Sequence, residues 1–214
     1  MGGSSAFFLL RASPTAEAIS GHGSPRRCIE DGFEWAEVDV RLTKDGHHLL
    51  SHSNHAVAGP NESQAIAEHT LAELKQIDVG GLFAARYSGE HLPSLDERLE
   101  LAKGKLNLYL DCKSINPERL VHDILDTGME HQVVVYDSIP NLHRIDEFAR
   151  GRLALMAKWH PDFGIEPWVR SNHLSAVEIN ADEITPEATH TFHDLGIKVQ
   201  VKVLGEWDRP PVLG

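Results

Sequence analysis

Positive charge is what this chain of 214 residues has least of: 20 Lys and Arg stand against 32 Asp and Glu, a formal charge of -12. A surface of that sign repels a phosphate backbone, so general nucleic-acid binding is excluded, and an anionic small molecule must meet local cations. Cysteine is almost absent. Cys28 and Cys112 fall in an expected helix and an expected buried strand, which excludes a disulfide framework and leaves both as packing residues. Long apolar runs are lacking too: Ala6 to Leu10 is the longest near the N-terminus, too short for a membrane span or a secretory core, and no basic residue precedes it. These absences together predict a protein of the cytoplasm with no stable membrane insertion. No internal repeat or low-complexity tract breaks the composition, and 41% hydrophobic with 24% charged residues is that of a globular domain.

What is present is an alternation of short β-rich runs with helix-like segments, the pattern of a parallel α/β architecture. Seven strands are expected, at Ala6–Leu10, Trp35–Leu42, Leu106–Cys112, Gln132–Tyr136, Leu153–Ala157, Ala176–Ile179 and Lys198–Val203. Helices are expected at Pro25–Glu30, Pro117–Leu125, Asn141–Ala149, Glu166–Arg170 and Pro186–Leu195, several opened by proline at the first turn. Gly128 and Gly196 follow two of these, where a left-handed C-cap is needed. The rhythm breaks between residues 53 and 105, which read as an insertion within one domain spanning 1–214: a loop at Ala58–Gln64 and helices at Leu71–Asp78 and Ser94–Ala102.

Chemistry concentrates in Glu37-Val38-Asp39, whose carboxylates share one strand face while Val38 and Val40 share the other. Paired oxygen ligands with His52 after the next turn suit a divalent metal acting on a phosphate ester, although Glu-x-Asp also fits an ordinary strand. Asp111 and Lys113 repeat the spacing and fit either the same site or a structural ion pair. If both strands line a barrel, their C-terminal ends bring three carboxylates and one ammonium together. His47, His48, His52 and His55 straddle a turn and an extended piece, without the spacing of a zinc site. Trp159, Trp168 and Trp207 read as rim packing rather than a headgroup pocket, and Lys158 as a solvated lysine.

The order Glu37-Val38-Asp39-Val40-Arg41-Leu42-Thr43-Lys44-Asp45-Gly46, then Ser51-His52, Glu68-His69-Thr70-Leu71, Pro93-Ser94-Leu95-Asp96-Glu97 and Asp111-Cys112-Lys113 resembles the glycerophosphodiester phosphodiesterase family. The resemblance implies a TIM (β/α)8 barrel with a small insertion after strand 2, incomplete here because seven strands are visible and the last is missing. It implies metal-dependent cleavage of a small glycerophosphodiester to glycerol phosphate and an alcohol, with Mg2+ or Ca2+ held by Glu37, Asp39 and Asp111. His52 matches a catalytic acid/base and Lys113 a phosphate-contacting lysine; Glu178 and Asn180, on one face of the sixth expected strand, read as substrate-binding candidates or as structural hydrogen-bonding groups. The family opens with His-Arg-Gly; this chain has Leu10-Arg11-Ala12, so Arg11 is the surviving catalytic candidate and weakened turnover is expected. Non-catalytic binding of metal and phosphodiester, or an incomplete barrel that self-associates through open sheet edges, are the alternative expectations.

Overall fold

The computed structural model describes residues 9–11, 25–59, 62–81 and 85–202. Seven strands pair in parallel in the order β1 (Leu9–Arg11), β2 (Trp35–Leu42), β6 (Asn107–Cys112), β7 (Val133–Tyr136), β8 (Ala154–Lys158), β9 (Ala176–Asn180) and β10 (Lys198–Lys202). A short β3 (His48–Leu50) runs antiparallel to the end of β2, with Leu42 opposite His48. The first expected strand is described over Leu9–Arg11; residues 6–8, and Val203 at the other end, lie outside the described residues.

Alternation along each strand separates two faces. Val38, Val40, Leu108, Leu110, Val133 and Val135 pack outward against the helices in one large core, the side where apolar burial stabilises the sheet. The return helices are α1 (Pro25–Glu30), α3 (Leu95–Ala102), α4 (Pro117–Thr127), α5 (Ile139–Ala149), α6 (Ile165–Ser171) and α7 (Pro186–Asp194), with α2 (Leu71–Leu74) a single turn outside this ring. In α4, Asn116 caps the first turn by accepting from the Arg119 N–H at 3.1 Å, and Gly128 ends the helix at φ 69°. Leu120, Val121 and Ile124 supply its buried stripe.

The excursion between β3 and β6 differs from expectation in two places. Residues expected as a loop at Ala58–Gln64 contribute to an antiparallel ribbon of β4 (His55–Gly59) and β5 (Glu62–Ala65). The helix expected over Leu71–Asp78 stops after one turn, because Asp78 organises a turn instead: its carboxylate accepts from the backbone N–H of Gly80, Gly81 and Gly89 and from Ser88 Oγ. Those N–H bonds, led by Gly89, hold the Asp78 carboxyl below its usual range. Leu49, Ala56, Ile66, Leu74, Ile77, Val79 and Leu92 form a small separate core under this excursion, whereas Leu95, Leu99 and Ala102 of α3 belong to the main one.

Candidate active site

Parallel register sets the site. In β2 the side chains of Glu37, Asp39 and Arg41 share the face opposite the helix-packed valines, and in β6 Tyr109 and Asp111 do the same. Pairing β2 with β6 places Glu37 opposite Tyr109 and Asp39 opposite Asp111. The result is one carboxylate oxygen from each of Glu37, Asp39 and Asp111, all within 4.8 Å of one another, at the C-terminal ends of two adjacent strands.

The Lys113 ammonium faces this cluster. Lys113 Nζ lies 2.6 Å from Asp111 Oδ2, a charge-assisted hydrogen bond, and 3.3 Å from Asp39 Oδ1, close enough for attraction but without hydrogen-bond alignment. Burial opposes the Lys113 charge, but the Asp111 bond and the charges of Asp111 and Asp39 outweigh it and raise its pKa. Asp39 is only 1% exposed, and neither of its carboxylate oxygens has a hydrogen-bond partner. Burying an ionised carboxylate without such partners is costly unless a cation compensates it. Hard oxygen donors with one orphaned buried member fit a divalent metal ion.

Arg41 joins the site to the histidine. Its Nε donates to Ser51 O at 3.0 Å and its Nη2 to His52 O at 2.7 Å, while Ser51 N–H bonds Asp39 O at 3.0 Å. The His52 backbone is thereby fixed beside the end of β2, and its imidazole is exposed. Burial lowers the Arg41 pKa, with Asp39 and Asp111 opposing that shift. The Lys113 and Ser114 amides both bond Val40 O, and Leu42 N–H donates to Ser114 Oγ, which ties the two strand ends together.

Glu178 sits deeper, 3% exposed, on β9. Tyr136 Oη donates to its Oε1 at 3.1 Å, Tyr109 Oη approaches Oε2 at 3.5 Å, and Lys202 Nζ stands 3.7 Å from Oε1. Burial first, then the Glu178 charge, push both tyrosine pKa values up and keep the phenols as donors. Asn180 directs its amide to Glu183 Oε2 at 2.6 Å.

Of the residues expected from sequence, Glu37, Asp39, Asp111 and Lys113 come together. Arg11 enters through its backbone, paired in register with Glu37. Arg41, Tyr109, Tyr136 and Lys202 were missed as site residues; Arg41 and Tyr109 carried the same two-residue phase as the carboxylates they accompany.

A parallel α/β sheet with three carboxylates gathered toward its carboxyl rim defines a barrel-type α/β protein with a candidate metal site. The glycerophosphoryl diester phosphodiesterase family matches residues 23–165, and the chain belongs to that family. It is 32% identical over 117 residues to a glycerophosphodiester phosphodiesterase of Caldanaerobacter subterraneus subsp. tengcongensis, covering 51% of this chain and 48% of that one. A Bacillus subtilis glycerophosphodiester phosphodiesterase is 25% identical over 138 residues, covering 60% and 47% respectively. The chain thus spans about half the length of the curated relatives it matches. The fold is that of a solved glycerophosphodiester phosphodiesterase from Agrobacterium tumefaciens, with TM-score 0.75 at 20% identity, covering 92% of this chain and 87% of that one. An Oleispira antarctica phosphodiesterase solved with sn-glycerol-3-phosphate superposes with TM-score 0.72 at 18% identity, over 92% and 84% of the two chains.

Proposed function

We propose that this protein hydrolyses a small glycerophosphodiester to glycerol phosphate and an alcohol, using a divalent metal, Mg2+ or Ca2+, held by Glu37, Asp39 and Asp111. The observation that carries this reading is the buried Asp39 carboxylate, without a hydrogen bond, inside a cluster whose ligand oxygens lie within 4.8 Å. When bound, the ion supplies charge neutralisation at the phosphate and stabilises the charge that develops there.

The chain's own groups do the rest. Lys113 gives a phosphate oxygen its ammonium, released in part from Asp111 as the anion arrives. Arg41 holds the His52 loop by its two carbonyls, and the exposed His52 imidazole carries the proton to or from the reacting oxygens. Arg11, whose backbone pairs in register with Glu37, is the catalytic candidate that the family pattern leaves on the first strand. Glu178, with its two phenols, and Asn180 form the substrate-facing wall across the interior.

Leu10 and Ala12 stand where the family pattern has histidine and glycine, so one of two acid/base groups is lacking and turnover is weakened. Loss of such a group costs about 100-fold to 10,000-fold in rate. Among the described residues no helix is long and apolar enough to cross a membrane, in keeping with action in the cytoplasm. Among the same residues β1 and β10 each pair with one strand only, which supports self-association through those edges. The activity is tested by glycerol phosphate release from glycerophosphocholine with Mg2+ or Ca2+, against chelator and Asp39→Ala. Metal-dependent release above the variant is expected, and its absence would contradict the reading.

A further inference from the structure

Cleaving an alkyl phosphodiester with water moves two protons, one off the attacking water and one onto the departing alkoxide. In the proposed hydrolase the exposed His52 imidazole serves the first. The second needs an uncommitted donor on the inner face of the sheet, near the rim where the carboxylates gather. Most polar groups there are engaged. Lys113 is held 2.6 Å from Asp111 Oδ2, Arg41 spends its guanidinium on the Ser51 and His52 carbonyls, and the phenols of Tyr109 and Tyr136 both point at Glu178. Burial and the Glu178 charge push both phenol pKa values up, which makes them poor acids.

Lys202 is placed differently. It ends β10 in register with Asn180 and shares the strand phase of Gln200, which pairs with Glu178 on the inner face. Its Nζ stands 3.7 Å from Glu178 Oε1, close enough for attraction and too far for a hydrogen bond. Among the described residues that half-buried ammonium has no hydrogen-bond acceptor. Glu178 explains its direction: the carboxylate, 3% exposed, takes its hydrogen bond from Tyr136 and draws Lys202 inward while leaving its protons free. Tyr109 completes the link, because its backbone pairs with Glu37 and its phenol approaches Glu178 at 3.5 Å. One phenol and one carboxylate thus span the interior from the carboxylate cluster to the Lys202 ammonium.

From this placement we infer that Lys202 is a catalytic residue, the proton donor to the departing alcohol oxygen; this rests on the proposed hydrolase reading. The electron pair of the breaking P–O bond goes to that oxygen, which takes a proton from Nζ. The attacking water forms the new P–O bond and gives its proton to His52. Water is thereby divided, its hydroxide on phosphorus and the equivalent of its proton on the alcohol, and exchange with solvent restores both side chains. An alkoxide is a stronger base than an amine, so the transfer from Lys202 runs downhill. Lys158, exposed at the end of β8, remains a solvated lysine and serves as the control.

The test uses two diesters with the same glycerol phosphate end: glycerophosphocholine, whose alkoxide needs a proton, and the p-nitrophenyl ester, whose phenolate leaves without one. Turnover with Mg2+ or Ca2+ is measured for the full chain as parent, Lys202→Met, Lys202→Arg and Lys158→Met. Arginine keeps the charge beside Glu178 but does not give up a proton. Lys202→Met and Lys202→Arg should each lose about 100-fold or more in kcat on the choline diester and less than about threefold on the aryl ester, whereas Lys158→Met keeps both. Equal losses on the two esters, no loss on either, or parental choline-diester turnover by Lys202→Arg overturns the assignment and leaves the hydrolase reading standing. No choline-diester turnover by the parent with either metal overturns the hydrolase reading and the assignment with it.

Discussion

Asp39 combines almost complete burial with a carboxylate that lacks any hydrogen bond, and two further carboxylates stand within 4.8 Å. Lys113 pairs with Asp111 and Asp39, and without a metal the clustered carboxylates repel one another. Asp39→Asn should raise metal-free stability by about 1 kcal/mol while abolishing the thermal shift that added Mg2+ or Ca2+ gives the parent chain. Calorimetric melting with chelator and with metal checks both halves. Lys113→Met should lower kcat/KM by about 100-fold or more, since it removes a positioned cation from developing phosphate charge. Lys113 also has a raised folded pKa, so its contribution to stability is complete below the unfolded value near 10.5 and is lost as pH rises through the folded one. Denaturant unfolding at pH 9 and pH 12 should show a larger alkaline loss for the parent than for Lys113→Met.

Elements hold this site through bonds that no local pattern announces. His48, buried in β3, gives its Nδ1 proton to Asp123 Oδ2 at 2.8 Å and accepts the Asn116 N–H on Nε2 at 3.2 Å, while Arg119 Nε bonds the other Asp123 oxygen at 2.5 Å. This clamp joins β3 to α4, whose N-cap residue Asn116 lies five residues after Asp111 of β6. His48→Leu strips partners from a buried carboxylate and a backbone N–H and should cost about 3 kcal/mol in denaturant unfolding. The sequence showed the carboxylate phase because period two is local: Glu37, Asp39, Asp111 and Lys113 needed only alternation. The His48–Asp123 pair joins residues 75 positions apart, and the grip of Arg41 on His52 O joins residues 11 apart; neither leaves a periodic trace. The β4 and β5 ribbon was equally hidden, since Ala, Gly and Ser around residues 56–65 give little strand signal and its register slips between Val57 and Gly59.

At the scale of the whole molecule, the seven parallel strands follow from alternating β-rich runs and capped helices, and each predicted strand from Trp35 onward falls within about one residue of its observed bounds. What the periodicity could not say is which inner-face residues meet across the sheet, because that depends on register: Glu178 reaches Tyr109 and Tyr136 only once β6, β7, β8 and β9 are staggered as they are. Strands β1 and β10 have a single partner each among the described residues. Concentration-dependent association should therefore appear in sedimentation velocity, and a single monomeric species across a wide concentration range would count against those edges as contacts.

The proposed metal at Glu37, Asp39 and Asp111 would make this chain a glycerophosphodiester hydrolase. The most direct test is glycerol phosphate release from glycerophosphocholine by the parent chain and Asp39→Asn, each with Mg2+ or Ca2+ and with chelator. Release by the parent that chelator abolishes, and that Asp39→Asn lacks in every condition, is the predicted result. Equal release by the two proteins, or none from the parent with either metal, would contradict it.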